Sequence, residues 1–308
     1  MNRTLELTSG DRERLQSRLI RELPAAPLSV LPQGTIQGNC LEWADYLPVA
    51  SVDLLILDPP YNLDKVFNGQ KFSRQSVQDY RDWLDRVLST LLPLLKSTAS
   101  IYICGDWFSS TSIYPAAVSY FRVRNRITWE REKGRGARSN WKNASEDIWF
   151  CTVSDTYTFN PEAVKLRRQV LAPYRLTDGT PKDWQQTDRG NFRDTYPSNL
   201  WTDITIPFWS MTENTHHPTQ KSEKLIAKLI LASTNPNDVV LDPFLGSGTS
   251  SVVAKKLGRR YLGIEQDEDY CLLAEKRLEL AGLRTSVQGY ADGVFWERNT
   301  LTAQKRSS

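Results

Sequence analysis

Residues 54–63, LLILDPPYNL, run four apolar side chains straight into an acid, two prolines and an aromatic. An unbroken apolar run is expected of a parallel strand covered on both faces, since βαβ crossovers lay helices over both sides of such a sheet. The strand would end at Asp58, where an open α/β sheet has its ligand crevice. Pro59 and Pro60 fix φ at about −65° and carry no N–H, which leaves the carbonyls of Asp58, Pro59 and Pro60 as acceptors along a stiff curve. With Tyr61 as a flat face beside them, these groups suit a planar ligand bearing an NH2. The plainer reading is a strand-ending turn with a capping acid.

Upstream, TIQGN (35–39) is strand-like and CLEWADYL (40–47) helical. Downstream, Tyr80, Trp83, Leu84, Val87, Leu88, Leu91, Leu92 and Leu95 keep helical spacing before a second strand, ASIYICG (99–105). Alternation returns late in the chain: 222–234, 248–258 and 269–282 read as helices, 238–244 and 259–265 as strands. Strands alternating with helices predict a doubly wound α/β domain. From about 130 to 215 periodicity is poor and no run is apolar enough for a central strand, so this middle reads as an insertion.

The resulting segments are an N-terminal extension (1–33) with a charged helix over 11–22, a first half of the domain (34–150), the insertion (151–213), a second half (214–285) and a tail (286–308). The tail looks irregular, and its final AQKRSS is expected to fray.

A chain of 308 residues can bury a large core, and a net charge of +3 identifies no partner by itself. Charge is uneven, however: residues 122–193 hold 15 Lys and Arg against 9 Asp and Glu. The four cysteines, Cys40, Cys104, Cys151 and Cys271, form no CxxC pair, which argues against a zinc site or a disulfide frame. Cys104, on an apolar strand, reads as core. The first thirty residues lack an apolar h-region and no spanning run follows, so a non-secreted cytoplasmic protein with no membrane partner is expected. His216 and His217 have no neighbouring ligands and read as loop residues.

The second informative stretch is VVLDPFLGSGTSS, 239–251. A strand ends at Asp242, and a glycine-rich turn opens a helix whose first amides a ligand can approach. A phosphate loop would need Lys before the Ser or Thr, and GSGTSS has none. Glu265 ends the next strand 19 residues after Gly246, near the offset of a ribose-binding acid. Both a dinucleotide and an adenosyl ligand without a pyrophosphate satisfy that spacing.

DPPYN together with DPFLGSGT resembles the amino-methyltransferases of DNA, which move a methyl group from S-adenosylmethionine to adenine N6 or cytosine N4. The order of motifs is similar to the permuted β class, often partnered with restriction systems. The likeness covers roughly 34–150 and 214–282 and implies a seven-stranded mixed, Rossmann-like sheet with a target-recognition insertion. By residue, it implies that Asp58, Pro59, Pro60 and Tyr61 are catalytic. It implies that Asp242, Pro243, Phe244, Gly246, Ser247, Gly248 and Thr249 form the cofactor loop, with Glu265 on the ribose hydroxyls and Gln266 after it. HPTQKSEKL, from His217, is similar to the segment beside the methionine end, with Thr219, Gln220 and Lys221 as contacts. GNCLEW matches a segment that usually reads GD at the adenine ring; here Asn39 replaces the Asp, and Asn39 and Cys40 are the candidate contacts.

An exocyclic amine is a poor nucleophile until acceptors hold its hydrogens, and Asp58 with the Pro59 carbonyl can supply two. In a duplex the base must first rotate out, at a cost of a few kcal/mol, and stack on Tyr61 for about 1–3 kcal/mol. Cytosine C5 chemistry is set aside, since the chain has no Pro-Cys pair. Arg131, Lys133, Arg135, Arg138 and Lys142 could track phosphates or form a solvated hairpin surface, and Lys165, Arg167 and Arg168 invite the same two readings. Trp184, Trp201 and Trp209 read as insertion core. The resemblance favours adenine N6, since cytosine enzymes commonly carry Ser or Thr at position 58. Cytosine N4, RNA, or a DNA-binding module without turnover are the alternatives. Double-stranded DNA is the expected partner, with a cognate restriction endonuclease and a homodimer as further expectations from the resemblance.

Overall fold

A computed structural model describes residues 2–67, 70–131, 136–170, 174–188, 190–298 and 300. In chain order the elements begin with α1 (Ser9–Gln16), β1 (Gly34–Gln37), α2 (Cys40–Trp43), β2 (Val52–Leu57), β3 (Lys65–Phe67) and β4 (Gln70–Phe72). Then come α3 (Val77–Leu91), β5 (Leu95–Gly105), α4 (Ser110–Ala117), β6 (Arg122–Glu130) and β7 (Ser145–Thr152). The insertion supplies β8 (Leu166–Gln169), β9 (Gln185–Thr187), β10 (Gly190–Thr195) and β11 (Leu200–Trp201). Last are α5 (Glu223–Ser233), β12 (Val239–Asp242), α6 (Thr249–Lys256), β13 (Arg260–Glu265), α7 (Glu268–Leu283), β14 (Tyr290–Ala291) and β15 (Val294–Trp296).

The main sheet has the order β1-β13-β12-β2-β5-β7-β6-β11. It is mixed, as expected, and its seven long strands gain a two-residue edge in β11. All its strands run one way except β7, which is antiparallel to both β5 and β6. The apolar run in β2 is explained by its faces: Leu55 and Leu57 pack with α2, α3 and α4, while Leu54 and Ile56 pack with α5, α6 and the insertion. All four are fully buried, and Cys104 is buried with them.

Four expectations are corrected. The middle of the chain does contain a strand of the main sheet, β7, whose burial of Glu146 and Asp147 hid it from a search for apolar runs. The tail is not irregular over 290–296: β15 lies parallel to β8, so the C-terminal segment completes the five-stranded sheet β14-β15-β8-β10-β9 of the insertion. Trp184 and Trp201 are core, but Trp209 is 58% exposed. AQKRSS, expected to fray, lies outside the described residues. Helix α1 is shorter than expected; its Leu15 packs on Cys271 and Leu272 of α7. No helix among the described residues is long and apolar enough to cross a membrane.

The insertion is anchored by charge. Asp203, 5% exposed, pairs with Lys224 at 2.7 Å and Lys228 at 2.8 Å, both on buried α5. Removing the carboxylate strands two ammoniums away from water. Asp203→Ala is therefore expected to lower unfolding stability by about 3–5 kcal/mol, read by urea denaturation.

Candidate active site

Strands β2 and β12 are parallel neighbours, with Val240 opposite Leu54 and Leu241 opposite Leu55. Asp58 and Asp242 consequently stand at adjacent strand ends. One cavity of about 440 Å³ runs from Asp58, Pro59, Pro60 and Tyr61 to Gly246 and Glu265.

The turn after β2 is held from both sides. The Tyr80 hydroxyl donates to the Pro60 carbonyl at 3.0 Å, so that carbonyl is committed to holding the turn. The Asn62 side chain accepts from Gln75 N at 2.7 Å and donates to its carbonyl at 3.0 Å, closing the loop that follows.

Lys221, expected beside the methionine end, is turned onto the acids of the site. Its Nζ lies 2.8 Å from both Asp58 oxygens, 3.1 Å from the Tyr61 hydroxyl and 3.2 Å from Glu146 Oε2. Burial by itself would lower this ammonium, but the carboxylates of Asp58 and Glu146 outweigh it and hold it above the usual lysine range. Burial raises the Tyr61 hydroxyl, and the same two anions push it further. At the working pH this corner thus holds a fixed cation and a neutral phenol.

On the other side, Gly246 (φ +52) and Gly248 (φ +85) adopt left-handed backbone that favours glycine. A Cβ on Gly246 would meet His217 Nε2 at 2.8 Å, and one on Gly248 would meet Ala274 Cβ at 2.5 Å. Glu265 accepts from Gly246 N at 2.8 Å and Asp267 N at 2.9 Å, which pins both oxygens while leaving lone pairs for a diol. Arg277 braces the loop from behind through the Ser247 carbonyl at 2.8 Å and Thr249 Oγ1 at 2.9 Å.

Of the other residues singled out from the sequence, Cys40, Thr219, Gln220, Pro243, Phe244, Ser247, Thr249 and Gln266 also line the cavity, whereas Asn39 and Gly248 do not. Asn39 instead caps α2, accepting from Leu41 N at 3.0 Å. The polar atoms of Gln220 are turned onto Thr215 and the Glu213 carbonyl, so it shapes the loop. Arg131 is tied to Glu146 at 3.2 Å. Arg138 and Lys142 are exposed, and Lys133 and Arg135 lie outside the described residues. Lys165, Arg167 and Arg168 pair with Glu162, Asp194 and Glu297. Not singled out from the sequence are Trp83 and Tyr270, which line the cavity, and Glu146, which stands behind it against Lys221. Glu146 has one signal, an acid at the start of a strand, but only the reversal of β7 shows which end of the sheet it reaches.

The DNA methylase family model matches residues 52–276. This chain belongs to that family. The chain is 34% identical over 254 residues, 80% of its length and 82% of the relative's, to the DNA adenine methyltransferase YhdJ of Escherichia coli (strain K12). To the type II methyltransferase M1.MboII of Moraxella bovis it is 32% identical over 249 residues, 76% of this chain and 92% of the relative. Among solved structures it resembles the M1.HpyAVI complex with S-adenosylmethionine (TM-score 0.50, 25% identity, 80% of this chain and 99% of that one). It shares the fold of the cytosine-N4-specific PvuII DNA methyltransferase (TM-score 0.58, 15% identity, 86% of this chain and 96% of that one). The enzyme is a DNA amino-methyltransferase that uses S-adenosylmethionine. The cavity fits that group, with a glycine turn open to close approach and a pinned carboxylate at one end.

Burial raises Asp242 from 3.8 to about 7, against the Ser250 hydroxyl at 2.5 Å and the Phe244 N–H at 3.0 Å, which favour its anion. A carboxyl whose folded pKa is raised keeps its proton longer in the native state, so stability falls as pH climbs between those two values. Glu213, also raised to about 7 by burial and then by Glu223, acts in the same direction. Asp242→Asn is expected to flatten part of the fall in melting temperature between about pH 4 and pH 7, measured on the protein without added methyl donor.

Proposed function

We propose that the enzyme methylates N6 of adenine in double-stranded DNA by direct attack of an extruded base. The observation that carries the reading is that Asp58 and the glycine turn line one cavity, so that one donor can span them. Support for adenine comes from the acid at position 58 and from the adenine methyltransferase named among the relatives.

Asp58 and the Pro59 carbonyl accept the two amino hydrogens and draw the nitrogen toward a pyramidal shape with its lone pair free. The Tyr61 ring gives the base a face to stack on. S-adenosylmethionine supplies the electrophilic methyl group. As the new N–C bond forms, the methyl–sulfur bond of the donor breaks, its electron pair leaving on the thioether sulfur, and the nitrogen gives up one proton toward Asp58, so no covalent enzyme intermediate is required. The gain is one of orientation and electrostatics.

Glu265 would hold the ribose hydroxyls, Phe244 would flank the adenine, and Thr219 with Lys221 would face the methionine end. Residues 151–213 act as the target-recognition region in this reading, with the exposed Arg138 and Lys142 on phosphates. Relatives named type II methyltransferases suggest a nuclease that cuts the same site when it is unmethylated.

Asp58→Ala is expected to lower turnover by about 10²–10³-fold with donor binding nearly intact; unchanged turnover refutes the role. Digestion of methylated mixed-sequence DNA to nucleosides, followed by mass analysis, should give N6-methyladenine, and N4-methylcytosine would overturn the choice of base. Replacing Arg138 and Lys142 by Gln should reduce the slope of log K against log salt by about 2.

A further inference from the structure

Glu146 is 4% exposed and stands directly behind the Asp58 cluster. It lines not the main cavity but a neighbouring pocket of about 70 Å³, shared with Lys221, Arg131 and Trp129. Its Oε2 is 3.2 Å from Lys221 Nζ and 3.0 Å from the Tyr61 hydroxyl, while Oε1 meets Arg131 at 3.2 Å. Lys221 therefore sits between two carboxylates: its hydrogen bonds go to both Asp58 oxygens and the Tyr61 hydroxyl, and it forms an ion pair with Glu146.

Lys221 engages both oxygens of Asp58 at 2.8 Å. A carboxylate held this way offers fewer lone pairs, and weaker ones, to the hydrogens of a substrate amine. Yet a buried ammonium cannot be drawn off one anion unless another stands ready. We infer that Glu146 is a positioning residue, the second anion onto which Lys221 leans when Asp58 turns to the amino group of the extruded base. Charge balance fits this handover: Asp58, Glu146, Lys221 and Arg131 sum to zero, and the sum does not change as Lys221 shifts. The Tyr61 hydroxyl lies within reach of both acids, 3.2 Å from Asp58 and 3.0 Å from Glu146. The inference rests on the proposed role of Asp58.

The test is Glu146→Gln, which keeps the size and removes the charge, beside Glu146→Asp, which keeps the charge. The expected result for Glu146→Gln is a kcat lower by about 10- to 100-fold, with the KM for DNA and the calorimetric Kd for S-adenosylmethionine within about twofold of wild type. Glu146→Asp should recover part of that loss. Wild-type kcat in Glu146→Gln overturns the inference. So does a loss that follows weakened donor binding, or an Asp variant no better than Gln. Asp58→Ala measured alongside separates the two claims: an active Asp58→Ala sinks the proposed function, whereas an inactive one beside a fully active Glu146→Gln sinks only this inference.

Discussion

The site depends on two strands far apart in the chain lying side by side. β2 and β12 pair in parallel near the middle of the sheet; β12 ends in Asp242, and Asp58 directly follows β2. Their continuous apolar runs make that place in the sheet favourable, because both faces are covered by helices. Once β2 and β12 are adjacent, the turns beyond them must share one crevice. The prolines stiffen one wall and the glycines open the other.

Two buried charge clusters are built on opposite plans. At the site, one ammonium, Lys221, lies against two carboxylates, and its proton is held tightly. Behind the sheet, two ammoniums share one carboxylate, Asp203. There burial outweighs the shared anion: Lys224 is lowered, and Lys228, also repelled by Lys224, falls to about 8. The ratio of signs decides which group holds its proton firmly. A fixed positive charge stands where methyl transfer is proposed, and a more yielding one where the insertion is anchored.

Much of this was legible in the sequence. The two strand-end motifs carried their own chemistry, and the helices over 77–91, 223–233 and 268–283 followed from spacing. What could not be read were features set by tertiary pairing. The run SEDIWFCT has two acids at its start and looks too polar for a sheet interior, yet Asp147 is satisfied by Ser110 and Thr128 and Glu146 by Lys221 and Tyr61. Asn39 carries both a cap and a ligand signal, and local geometry gave it to the cap. Arg131 belongs by composition to a basic run, but a buried acid reached it across β6 and β7. The strand at 294–296 was missed because three residues give no periodicity, and its partner lies in the insertion.

That last pairing bears on how the protein comes into being. The sheet of the insertion is closed by β15, one of the final described strands, although β8, β9 and β10 were translated long before. A nascent chain folds from its N-terminal side as it emerges, so the insertion waits on the ribosome with an unpaired edge until residue 296 is clear of it. The part of the molecule proposed to choose the DNA site is then finished last, after both halves of the methyl-transferring cavity have been synthesised.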